Sequence, residues 1–104
     1  MWQTNKEKQL LRAMVALRNE AEAARFLRDL MTQSEIEEFA NRLQAAEMLS
    51  DGRSYTDVQK ATGLSSTTIA RVSKWLQGGE GGYRAILNQL HHGSPISQVR
   101  RGLP

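Results

Sequence analysis

The sequence predicts an all-α fold, and three observations carry that prediction. Apolar residues recur every three or four positions in successive segments, and no stretch shows the two-residue alternation of a half-buried strand. Capping residues stand where these segments begin and glycines where they end. Hydrophobic residues make up only 39% of the 104 positions and aromatics 6%. One copy alone would therefore have a thin core, and its helices are expected to bury apolar faces against a second copy.

A first helix is predicted from about Asn5 to Arg18, where Leu10, Met14 and Leu17, with Leu11 and Val15 beside them, form a broad apolar stripe. A break near Asn19 precedes a second helix over Glu20 to Leu30. Ala23, Ala24, Phe26, Leu27, Leu30 and Met31 supply its apolar face. Thr32 and Glu35 then form a capping box, and Glu35, Glu37 and Glu38 place negative charge in the first turn, where the helix dipole favours it. The helix they open is the longest, spanning roughly 25 Å over residues 35 to 51 at 1.5 Å per residue. Ile36, Phe39, Ala40, Leu43, Ala46 and Leu49 keep one stripe until Gly52 ends it.

Residues 54 to 76, SYTDVQKATGLSSTTIARVSKWL, read as a helix, a tight turn and a second helix. Ser54 caps the first, with Asp57 three positions on, and Val58 and Ala61 are expected to face inward. Gly63 stands where the chain must leave that helix through a left-handed residue. Leu64 fills the space between the helices and Ser65 caps the second, whose buried stripe is Ile69, Val72 and Leu76. Ser66, Thr67, Ala70, Arg71 and Lys74 are left on the outer side. That surface is short and hydrogen-bonding at its start and basic further along, which suits a recognition helix entering a major groove about 12 Å wide. Trp75, beside Leu76, is expected in the core. The glycines at 78, 79, 81 and 82 predict a flexible break. A last helix is expected over Tyr83 to His91, with Ile86, Leu87 and Leu90 facing in. Gly93 and Pro95 close it, so the domain covers 1–92 and residues 93–104 form a flexible tail.

Charge is unevenly placed. Residues 1 to 50 carry seven Lys/Arg against eight Asp/Glu, a net of −1, and residues 51 to 104 carry seven against three, a net of +4. The basic excess lies in the half with the helix-turn-helix pattern, the footprint of a DNA-facing surface. Arg100 and Arg101 read as a solvated basic end. There is no Cys, hence no disulfide framework and no thiolate metal site. The N-terminus MWQTNKEKQL lacks the apolar core of a signal peptide, and the run Ala13 to Leu17 is far too short to span a bilayer. A soluble, cytoplasmic protein without a membrane partner is expected.

Enzyme chemistry finds no support. The glycine cluster has neither the Lys-Ser/Thr nor the preceding strand of a P-loop. His91 and His92 point about 100° apart on a helix and have no nearby carboxylate or Cys to complete a metal site. Glu35 and Glu38 are explained by their helix N-terminus. Ser65, Ser66, Thr67 and Thr68 have no neighbouring His to activate them. No catalytic residue, metal ligand or cofactor is therefore assigned.

The segment LMTQSEIEEFANR, the helix end at Gly52 and the run GLSSTTIAR together resemble the Trp repressor-like family, and within it the YerC/YecD group. The likeness runs without gaps from about Leu30 to Leu76. It implies an intertwined, all-helical homodimer from which a helix-turn-helix projects on each side. It also implies DNA contacts from Ser65, Ser66, Thr67, Ala70 and Lys74, with Thr56 and Gln59 on the preceding helix as further candidates. The family clamps tryptophan between two arginines, matched here by Arg42 and Arg71, with Thr32 and Thr68 matching pocket threonines. Val72 replaces a pocket glycine and Trp75 a pocket serine. Both changes add bulk, so this set is a remnant of a ligand pocket: free tryptophan is not expected to bind, and Trp75 is expected to fill part of the space.

Two functional readings follow. The first is a sequence-specific, DNA-binding transcriptional regulator, a repressor, acting as a homodimer. The alternative is a helical protein-interaction module without DNA specificity.

Overall fold

The computed structural model describes the backbone of residues 1–93 and side chains as far as His91. The expected tail beyond Gly93, including Pro95, Arg100 and Arg101, and the side chain of His92 lie outside the described residues. All regular structure among the described residues is helical: α1 (Asn5–Ala16), α2 (Glu20–Leu30), α3 (Gln33–Ser50), α4 (Tyr55–Thr62), α5 (Ser66–Gly78), α6 (Gly82–Asn88) and a closing π-helical turn (Gln89–Gly93). The chain divides into two compact units, Met1–Glu37 and a second beginning at Glu38.

In the first unit, local hydrogen bonds define the helices. Thr4 Oγ1 accepts the Glu7 N–H at 3.0 Å, and the Glu7 carboxylate accepts the N–H groups of Thr4 (3.0 Å) and Gln3 (2.8 Å), a complete capping box. Asn19 caps α2 by accepting the Glu22 N–H at 2.9 Å. Glu22 also accepts from the Arg18 guanidinium (2.7 Å) and the Arg18 N–H (3.1 Å). The backbone donors, Thr4 first and then Gln3, hold the Glu7 carboxyl below the ordinary 4.5. The Arg18 side chain, and after it the Arg18 backbone, does the same for Glu22. α1 ends at Ala16, two residues short of expectation, because Leu17 is extended and Arg18 turns to meet Glu22. Neither α1 nor α2 contains a buried residue. Thr32 and Glu35 exchange the two expected hydrogen bonds, at 2.9 and 3.1 Å, and open α3.

The second unit has a small core of Ala45, Ala46, Val58, Ile69, Val72, Leu76 and Leu87, with Leu64 and Tyr83 packed partly against it. α3 contributes two alanines where the sequence favoured large residues: Phe39 and Leu43 stay exposed, and Ala45, off the expected stripe, is fully buried. On α4 the inward partner of Val58 is Thr62, only 8% exposed, while Ala61 is exposed. Thr62 lies one full turn after Val58, and its hydroxyl is satisfied by donating to the Val58 carbonyl at 2.8 Å, so polarity is no barrier to burial.

Gly63 adopts the left-handed conformation expected of it, φ +73°, and donates to the Gln59 carbonyl at 2.8 Å. The glycine-rich link after α5 is a defined bend. Gly78 still belongs to α5, and Gly79 packs so tightly that an added Cβ would lie 2.6 Å from the Trp75 carbonyl oxygen. Of the final apolar residues only Leu87 is buried; Ile86 and Leu90 are each 48% exposed. Ile86 and Leu87 are neighbours on α6 and point about 100° apart, and the π-helical turn from Gln89 shifts Leu90 out of the 3.6-residue register that would set it beside Leu87.

Candidate nucleic-acid interface

Buried and exposed positions separate cleanly along α5. Ile69, Val72, Ser73 and Leu76 are buried, whereas Ser66, Thr67, Ala70, Arg71 and Lys74 are exposed. α4 shows the same division, with Val58 and Thr62 inside and Thr56, Gln59 and Lys60 outside. The outward residues selected from sequence are therefore all solvent-facing.

Their hydrogen bonding distinguishes them. Ser65 accepts the Thr68 N–H at 3.1 Å and donates to the Thr68 hydroxyl, also at 3.1 Å, so its hydroxyl is largely committed to capping α5. Among the described residues, no hydrogen bond ties the Ser66 or Thr67 hydroxyls. In the second unit Arg42 pairs with Glu38 at 2.6 Å and Arg53 with Asp57 at 3.4 Å. Lys60, Arg71 and Lys74 make no ion pair among the described residues. Positive charge is thus unneutralised along α4 and α5, where it can meet phosphate. Ser54 caps α4 by accepting the Asp57 N–H at 3.1 Å, but the Asp57 carboxylate turns to Arg53.

The residues expected to be remnants of a ligand pocket have other engagements. Thr32 caps α3, and the Thr68 hydroxyl receives that of Ser65. Val72 lies in the core and Arg71 in solvent. Arg42 stacks over the Phe39 ring at 5.5 Å, and its Nε is buried without a hydrogen-bond partner. Trp75, expected in the core, is 47% exposed. It follows the buried pair Val72 and Ser73 and precedes Leu76, so the helical register rotates the indole off the packed face. It lines an open groove of about 780 Å³ together with Leu43, Tyr83 and Ile86, and neither Arg42 nor Arg71 lines that groove. Burial raises the Tyr83 phenol above its ordinary value, and the charge of Arg42 partly offsets the rise.

The expectation that no carboxylate lies near His91 is corrected: its Nε2 is 3.0 Å from Glu47 on α3. These residues are far apart in sequence, so no spacing announced the pair. The pairs Glu38–Arg42 and Arg53–Asp57 were legible as four-residue helical spacings. Among the described residues, no group of three His, Cys, Asp or Glu side chains is placed to hold a metal ion, and no helix is long and apolar enough to cross a membrane.

Helical in all the regular structure of its described residues, and with a basic, hydroxyl-bearing outer face on α5, the protein has a regulator-type helical fold. Residues 5–91 match the family described as Trp repressor protein, and the chain belongs to that family. It is 37% identical over 82 residues to YerC of Bacillus subtilis (strain 168), itself described as uncharacterized, covering 79% of each chain. A TrpR-like protein from Eubacterium eligens superposes with a TM-score of 0.81 at 33% identity, covering 89% of this chain and 96% of that one. A candidate Trp repressor from Staphylococcus aureus gives 0.79 at 34% identity, covering 86% and 89% respectively.

Proposed function

We propose that this protein is a homodimeric, sequence-specific DNA-binding regulator that represses by occupying an operator through a helix-turn-helix formed by α4 and α5. The observation that carries the reading is the outer face of α5. Two unengaged hydroxyls, Ser66 and Thr67, lie at its start, followed by the unpaired cations Arg71 and Lys74, over an underside fixed by Ile69, Val72 and Leu76. Hydroxyls reach base edges and cations reach phosphates. Thr56 and Gln59 on α4 extend the contact, and Ser65 contributes through its remaining acceptor lone pair.

Self-association is supported by α1 and α2, amphipathic helices that bury no residue and leave Leu10, Leu11, Met14 and Leu30 exposed. A two-fold assembly would present two copies of α5 to half-sites about 34 Å apart. Free tryptophan is not the effector in this proposal. Val72 fills core space, and both Thr32 and Thr68 already have hydrogen-bond partners. Calorimetry should give no heat with tryptophan, and micromolar binding would reject that part.

Selection of bound duplexes from a random pool, combined with sedimentation, tests the whole reading. The expected result is a dimer that enriches a pseudo-palindrome and whose affinity falls steeply with salt. A monomer, or equal affinity for selected and shuffled duplexes, would favour a protein-docking role for the same helices.

A further inference from the structure

Thr62 is one of two buried polar residues among those described, with Ser73, and its hydroxyl both donates and accepts. Oγ1 donates to the Val58 carbonyl at 2.8 Å, one turn back along α4, and accepts the Leu64 N–H at 3.2 Å, on the far side of Gly63. A single oxygen therefore joins the last turn of α4 to the strand of chain that leads into α5. Leu64 has no helical ladder to use, because α5 starts only at Ser66, and its partly buried amide depends on Thr62 for an acceptor. The Leu64 side chain packs on the core, and Ser65 caps the next helix immediately afterwards. An apolar residue at 62 would satisfy burial equally well, so the hydroxyl answers to the geometry of the turn.

We propose that Thr62 is a positioning residue: by pinning Leu64 it sets the angle at which α5 leaves the turn, and so governs base selectivity from a place that no duplex reaches. This inference rests on the DNA reading of α5 given above. A rotation about residues 63 to 65 re-aims Ser66 and Thr67, the residues that follow directly, and base contacts depend on such placement more strictly than phosphate contacts do, so selectivity falls before the fold itself is lost.

The test compares Thr62→Val, which keeps shape and removes the hydroxyl, with Thr62→Ser, which keeps the hydroxyl. Two quantities are read: amide hydrogen exchange at Leu64, and the affinity ratio between a duplex selected from a random pool and a shuffled duplex of equal composition. Valine is expected to speed Leu64 exchange and to narrow the ratio, each about tenfold for one lost hydrogen bond, while affinity for the shuffled duplex holds. Serine is expected to restore both. A folded Thr62→Val protein with unchanged selectivity overturns the inference. If the valine variant does not melt cooperatively, serine carries the test, and loss of Leu64 protection or of selectivity in Thr62→Ser overturns it. A wild-type protein that treats both duplexes alike defeats the DNA reading itself, a result distinct from failure of Thr62 alone.

Discussion

The hydroxyl of Ser65 lies 3.1 Å from both the amide nitrogen and the hydroxyl oxygen of Thr68, accepting from the first and donating to the second. Its only proton and one of its two lone pairs are thereby occupied, which separates Ser65 from its neighbours on the same surface. Ser65→Ala should destabilise the fold by about 1 kcal/mol, the usual effect of losing an N-cap. For a domain of this size that lowers the melting temperature by about 4–8 °C. Base preference should change less than on loss of the Ser66 or Thr67 hydroxyl, because Ser65 has only one acceptor lone pair left to offer a base edge. Thermal melts alongside duplex selection check this, and a large change in preferred sequence at unchanged stability would contradict it.

Ser66 and Thr67 should behave in the opposite way. With no internal partners to lose, Thr67→Ala or Ser66→Ala should shift the melting temperature by no more than about 4 °C, an expectation drawn from solvent-exposed substitutions of about 0.5 kcal/mol or less. Each should instead relax preference at one base position by about 1–3 kcal/mol. Competition gel shifts with single-base variants of the selected duplex provide the measurement.

Lys74→Ala should weaken binding to every duplex roughly alike and reduce the slope of log affinity against log salt by about one, the signature of one lost phosphate contact. Titrations at several salt concentrations decide it. If Lys74→Ala changed base preference while Thr67→Ala did not, the two parts of α5 would have their roles exchanged.

Adjacent glycines should respond with opposite signs. Gly78 is helical with open space around it, so Gly78→Ala should stabilise by up to about 1 kcal/mol. At Gly79 the new methyl would meet the Trp75 carbonyl oxygen, part of the rigid backbone of α5, so Gly79→Ala should destabilise and loosen the bend. Denaturant melts of the two variants compare them directly.

The capped helices of the first unit predict a pH dependence. The carboxyls of Glu7 and Glu22 are held below the ordinary 4.5 in the folded chain, so the folded state binds fewer protons than the unfolded chain in mildly acid solution. Their contribution is complete above about 4.5 and is lost as pH falls through the lower, folded values. Carbon-detected titration should place both carboxyls below 4.5, and Glu7→Gln with Glu22→Gln should flatten the acid side of the stability curve.

Local hydrogen bonding was legible in the sequence because its partners lie within four residues. The caps at Ser54 and Ser65, the box of Thr32 with Glu35 and the left-handed Gly63 all follow from residue type and spacing. The box opening α1, Thr4 with Glu7, and the Asn19 cap of α2 carry the same short-range signal. The outer face of α5 was legible for a related reason: a helix with three regularly spaced apolar residues fixes which side its other residues take.

The amino-acid order alone determined an all-helical chain, the places where its helices begin and turn, and the hydroxyl and basic residues that α5 turns outward. It did so because those features depend on chemistry a few residues deep. Packing between distant segments decided the rest: Thr62 rather than Ala61 lies inside, Trp75 lines an open groove, only Leu87 of the last helix is buried, and His91 meets Glu47. Periodicity tells which residues share a face, whereas the neighbour that covers that face, and how closely, exists only once the chain has folded back on itself.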